Sequence, residues 1–149
     1  MIRRATPDDL HDLVQLGNEF WDQTRYAHAG IPYGKDMTTQ TFAALIDSGI
    51  VQLAEDNGDI VGFIMLAIYL LPFAQDIKMA GEMVFYVAPA HRKTGLGKRL
   101  IKQAEHVAKQ QGCRYFSMVN LEEVSPEQSA RLYQSVGLEL VETSYSKEI

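Results

Sequence analysis

A chain of 149 residues with 46% hydrophobic and 22% charged content is long enough for one domain with a substantial core. Its formal net charge of −5 argues against a general nucleic-acid binder, which needs a broad basic surface. The lone cysteine, Cys113, excludes an intrachain disulfide and fits a reducing, cytoplasmic compartment, while the absence of a signal-peptide pattern and of any apolar run long enough to span a bilayer leaves no membrane partner to expect.

Residues 2–4 read as a short first strand. Thr6-Pro7-Asp8-Asp9 carries a helix start, with a Thr cap, Pro in the first turn and acidic residues beside the positive end of the dipole. Leu10, Leu13, Val14, Leu16 and Phe20 give that helix its apolar side. A loop over 24–37 holds Tyr26, His28 and Tyr33. Thr38 or Thr39 is the expected cap of a second helix, with Phe42, Leu45 and Ile46 facing inward and Gly49 at its end. Residues 50–55 and 60–71 read as strands joined by an Asn57-Gly58 hairpin turn. Residues 72–80 read as a loop. Residues 82–88, rich in β-branched and aromatic side chains, read as the next strand, stopped by Pro89. A glycine-bearing loop then opens a helix whose one face is Leu96, Leu100, Ile101, Ala104, Val107 and Ala108, ending at Gly112. Residues 114–120 read as a strand parallel to 82–88. Ser125-Pro126-Glu127-Gln128 has capping-box spacing for a last helix ending at Gly137, and 138–145 reads as a closing strand. The order β α α β β β α β α β describes one α/β domain over 1–149, a mixed sheet with helices on both faces.

Strand, glycine-bearing loop and helix together form a geometry for phosphates. The first N–H groups of a helix have no intrahelical partner, and the dipole adds positive potential at the same end. The charge distribution points to the same place. Residues 1–90 hold 5 Lys+Arg against 12 Asp+Glu, 91–111 hold 6 against 1, and 112–149 hold 3 against 6. An acidic protein thus concentrates its positive charge in Arg92, Lys93, Lys98, Arg99 and Lys102, beside Gly95-Leu96-Gly97. The three-glycine dinucleotide fingerprint and the Walker ending Gly-Lys-Ser/Thr are both missing.

Arg92-Lys93-Thr94-Gly95-Leu96-Gly97 resembles the Arg/Gln-x-x-Gly-x-Gly/Ala signature of the GCN5-related N-acetyltransferase (GNAT) superfamily. Ala130-x-Leu132-Tyr133 followed by Gly137-Leu138 is similar to a second segment near the end of these enzymes, with Leu138 where Phe is usual and Glu127 where many members carry Asn. The resemblance implies a mixed, mostly antiparallel central sheet of about six strands flanked by four helices. It implies acetyl-CoA as cosubstrate, its pyrophosphate held by Arg92, Lys93, Thr94, Gly95, Leu96, Gly97 and Lys98. Its pantetheine arm is expected on backbone groups of Phe85, Tyr86 and Val87, freed by a bulge. Asn120 is a further cofactor candidate, with turn formation as the alternative.

Acetyl transfer from a thioester to an amine needs a neutral amine, a polarised carbonyl and a protonated leaving thiolate. A thioester is already activated, so no metal is expected. Glu82 is the base candidate, directly or through water, against the alternative of a surface carboxylate at a strand end. Tyr133 is the candidate acid, its hydroxyl near a pKa of ~10 being matched to a thiolate. The implied activity is N-acetylation of a primary amine by direct attack in a ternary complex. The alternative is a non-catalytic acyl-CoA-binding or protein-interaction module on the same fold. Dimers are common in the superfamily, which makes a homodimer the corresponding analogy.

Overall fold

The computed structural model describes residues 1–149. Five strands lie side by side in chain order: β1 (Ile2–Arg4), β2 (Ile50–Asp56), β3 (Asp59–Leu70), β4 (Lys78–Val87) and β5 (Cys113–Ser117). The first four pair antiparallel, and β5 joins β4 in parallel. The expected Asn57-Gly58 turn closes the β2–β3 hairpin with φ of 52° and 89°, which right-twisted strands favour.

Helices cover both faces. On one, α1 (Leu10–Trp21) and α3 (Lys35–Ser48) bury Leu13, Val14, Phe42, Leu45 and Ile46 against Leu53, Phe63 and Met65. On the other, α4 (Leu96–Gln110) buries Leu96, Leu100, Ile101, Ala104 and Ala108 against Ile50, Ile64 and Leu66, with Leu132 and Tyr133 of α5 (Pro126–Ser135) packed at the margin. The 3.6-residue period of α4 and the two-residue period of β3 meet on this face. At the N-terminus, Arg3 places both guanidinium nitrogens on Asp9, at 2.8 and 2.7 Å, and this pairing holds the Asp9 carboxyl down at about 2.

Several boundaries differ from the sequence reading. The sheet has five strands, because 138–149 pairs with nothing. Its alternating pattern finds no ladder, and Leu140, Val141 and Tyr145 stand 87%, 85% and 95% exposed. β4 begins at Lys78, well before residue 82. Lys-Met-Ala-Gly has weak strand propensity, and pairing with β3 on one side and β5 on the other overrides it. Gly81 is required there, since a Cβ would lie 2.9 Å from the Tyr69 ring laid across it. A short additional helix, α2 (Arg25–His28), is capped by the Thr24 side chain. α3 starts at Lys35, so Thr38 and Thr39 lie inside it and bond back to the Gly34 and Lys35 carbonyls. Ser125 adopts φ 46° and makes no capping bond, so the expected capping box is not formed.

Candidate active site

β4 ends at Val87, and a 3-10 turn, Pro89–His91, leads into the loop before α4. Lys93 and Gly95 both take left-handed φ, 64° and 81°. None of the backbone N–H groups from Lys93 to Lys98 donates within the chain. Six consecutive unused donors, at the positive end of a helix, form a concavity suited to an anion. Arg92, Lys93, Lys98, Arg99 and Lys102 have no carboxylate within ion-pair distance. Their charge is therefore free for a ligand, and the residues present fit a pyrophosphate. Two side chains shape the loop. The Thr94 hydroxyl donates to the His91 carbonyl at 2.6 Å, and Arg92 Nε donates to the Val87 carbonyl at 2.8 Å. Gly97 serves packing: a Cβ would meet the Phe85 ring at 3.2 Å and Leu132 at 3.3 Å, so glycine lets α4 close on β4 and α5.

The second part of the site lies where two strands part. β4 and β5 pair only as far as Gly81 and Ser117. Beyond that point the edge of β4 has no strand partner. A bulge places Met83 between Glu82, opposite Leu66, and Val84, opposite Met65. Glu82 therefore shares the α4 face with Phe85 and Val87, while Val84 and Tyr86 face α1 and α3. An unbulged strand would instead put 82, 84 and 86 on one face.

Glu82 Oε2 accepts a hydrogen bond from the Val119 N–H at 2.8 Å, and Tyr133 Oη donates to the Val119 carbonyl at 2.8 Å. One residue, two positions past the end of β5, thus fixes both side chains. They line a cleft of about 110 Å³ with Phe20, Phe85 and Val119. The carboxylate end of Glu82 is enclosed, although the residue keeps some exposed surface. Burial pushes its pKa up to about 7, opposed by the Val119 N–H. Burial, and then the charge of Glu82, raise the Tyr133 hydroxyl well above its usual range. A larger groove of about 440 Å³ lies between β1, α1 and α3 and contains none of these residues.

The sequence model of the acetyltransferase (GNAT) family matches residues 13–138. The chain belongs to that family. A stretch of 72 residues is 36% identical to the aminoglycoside N(6')-acetyltransferase type 1 of Klebsiella aerogenes, covering 46% of this chain and 45% of that relative, so the match spans less than half of either. Among solved structures, the aminoglycoside 6'-N-acetyltransferase AAC(6')-IG of Acinetobacter haemolyticus superposes with TM-score 0.74 at 23% identity, covering 100% of this chain and 99% of that one. AAC(6')-Iy, in complex with a CoA-containing bisubstrate analogue, superposes with TM-score 0.77 at 19% identity, covering 100% and 98%. These likenesses establish the GNAT fold.

Within this GNAT fold the expected site residues separate into two groups. Arg92 to Lys98 form the cradle, while Glu82, Phe85 and Tyr133 meet in the cleft. Phe85, Tyr86 and Val87 pair in register with Ile64, Phe63 and Gly62 of β3, so the bulge lies earlier than expected, at Met83. The Tyr86 side chain turns to the other face, where its hydroxyl donates to Glu19 at 2.7 Å; burial and that carboxylate push it up to about 12. Asn120 Nδ2 donates to the Pro126 carbonyl at 3.0 Å, tying the loop after β5 to α5. Tyr33 Oη donates to the Val14 carbonyl, and Trp21 stacks on Tyr26 with centroids 5.8 Å apart, so these three aromatics pack the α1–α3 connection. The Val119 main chain had no sequence signal, because a backbone group leaves none. No helix is long and apolar enough to cross a membrane.

Proposed function

We propose that this protein is an N-acetyltransferase that moves an acetyl group from acetyl-CoA to a primary amine by direct attack in a ternary complex. The observation that carries the reading is the convergence of Glu82 and Tyr133 on Val119 in the cleft where β4 and β5 part. Acetyl-CoA supplies the acyl group already activated as a thioester. The main-chain N–H groups of Lys93 to Lys98 and the unpaired side chains of Arg92, Lys93 and Lys98 hold its pyrophosphate. The open edge of β4, from Glu82 to Val87, receives the pantetheine arm.

Glu82, with a pKa of about 7, is ionised often enough at neutral pH to accept the proton that the attacking amine loses, directly or through one water. Tyr133 holds its proton at neutral pH, its pKa raised above the range that would match a thiolate. The part of that rise owed to the Glu82 charge disappears once Glu82 has taken the amine proton, and in that state Tyr133 supplies its proton from Oη to the departing sulfur. To do so it turns its O–H away from the Val119 carbonyl, an exchange of one acceptor for a stronger, charged one. The acceptor side carries Phe20 on the cleft wall and, next to the lining Leu121 and Val124, Glu123, whose Oε1 receives the Arg25 N–H at 3.2 Å. The Glu19 carboxylate is held by the Tyr86 hydroxyl on the other face of β4. Carboxylates and an aromatic wall suit a cationic polyamine-like acceptor, and aminoglycosides head the classes to test because two similar proteins are named for them. A cytoplasmic homodimer using the free edge of β5 belongs to the same reading.

The test is thiol release from acetyl-CoA against aminoglycosides, polyamines, amino acids and peptide N-termini, with heat stability in CoA measured alongside. Transfer to at least one amine is expected. CoA binding without transfer to any of these acceptors favours the binding-module alternative, and no stabilisation by CoA overturns the cofactor assignment.

A further inference from the structure

The cradle is exposed, and the contacts of Thr94 and Arg92 described above stay within 87–94. Beside the Arg92 guanidinium over the Tyr86 ring and the buried Leu96, one side-chain hydrogen bond reaches out of it. His91 Nε2 lies 3.1 Å from Asp56 Oδ2, at the end of β2 directly before the Asn57-Gly58 turn. The other ring nitrogen, Nδ1, is buried without a hydrogen-bond partner, so Asp56 is the only side chain that orients the imidazole by a polar contact. The His91 carbonyl is the same group that receives the Thr94 hydroxyl. The contacts therefore run from the hairpin through Asp56 and His91 to Thr94, whose N–H is the second of the six free ones.

We propose that His91 is a positioning residue that, through Asp56, docks the phosphate cradle onto the β2–β3 hairpin and so sets the affinity for CoA without touching it. This rests on the reading of Lys93–Lys98 as the pyrophosphate site. A loop released from this tie must be ordered again on each binding event, and that cost falls on affinity rather than on the chemical step.

The experiment compares wild type, His91→Ala, Asp56→Ala, the double variant and His91→Gln, whose amide nitrogen can reach Asp56. CoA affinity is measured by calorimetry, and turnover with acetyl-CoA and with S-acetylpantetheine, which has no phosphates. Each single alanine variant is expected to weaken CoA roughly 5- to 10-fold, as loss of one partly exposed charge-assisted hydrogen bond does. The double variant loses no more than either single one, and His91→Gln recovers most of the affinity. KM for acetyl-CoA rises while kcat holds within about twofold, and S-acetylpantetheine kinetics are unaffected. Asp56→Ala tests the same contact from the hairpin should His91→Ala fail to fold. Variants that bind CoA like wild type, alanine losses that add, or equal losses with S-acetylpantetheine overturn the proposal. Absence of CoA binding by wild type overturns the cradle reading itself, and the inference with it.

Discussion

In the proposed function, the 93–98 cradle and the cleft at the strand divergence meet opposite electrostatic requirements. The cradle is exposed and electropositive, made mainly of main-chain donors in one contiguous stretch. The cleft is half-open and surrounds a buried carboxylate, assembled from α1, β4, the loop after β5 and α5. The cradle needs no unusual protonation state, only donors with nothing else to bond. The cleft works through a perturbed one, because enclosure lifts Glu82 toward neutrality. In the proposed function, holding the ligand and performing its chemistry thus fall to separate stretches of this chain, and substitutions should separate them.

The largest effect is expected from Glu82→Gln. Loss of a general base costs about 100-fold or more in kcat at pH 8, while CoA affinity stays near wild type. The wild-type rate should fall as pH drops through about 7, where Glu82 takes up its proton. Glu82→Gln should lack that limb, and a variant that keeps it would give the base role to another group. Tyr133→Phe is expected to lower kcat about 10- to 50-fold with CoA affinity within twofold, since it removes the transferable proton but keeps the ring. Equal turnover in the two proteins would take Tyr133 out of the chemistry. Lys98→Glu acts on the other region: KM for acetyl-CoA should rise roughly tenfold, the increase shrinking at high salt as screening weakens charge interactions. A fall in kcat with KM unchanged would break the separation between cradle and cleft.

The smallest effect is on stability. The folded pKa of Glu82, about 7, lies above its unfolded value of 4.5. The burial penalty is therefore fully present above pH 7 and vanishes below about 4.5, where the group is protonated in both states. Glu82→Gln should raise Tm by about 3–8 °C at pH 8, corresponding to ~1–3 kcal/mol, and by little at pH 4.5. A variant less stable at pH 8 would mean that the Val119 bond outweighs the cost of enclosure.

The same contrast explains what the sequence could disclose. The cradle is local. Gly95, with its positive φ, the basic residues and the helix period after them all lie within about twenty residues, so the element types and the ligand class were legible together. The cleft depends on a bulge and on a strand end. Nothing in Glu82-Met83-Val84 marks Met83 as the extra residue, since the shift exists only against Met65 and Leu66 of β3. The start of β4 was hidden for a related reason: Lys78 to Gly81 form a strand because two neighbours pair with them, against their own propensity. Residues 138–145 show the converse, an alternating pattern that reads as a strand and has no ladder to join.

Val119 offers a spectroscopic handle on the proposed reaction centre. Its amide proton rests on Glu82 and its carbonyl receives Tyr133. The nitrogen-15 and amide-proton resonances of this one residue should follow the charge on Glu82 through a pH titration. Its carbonyl carbon should shift when the tyrosine hydroxyl turns away. A single labelled residue can then report the charge on Glu82 with no acceptor added and no turnover required.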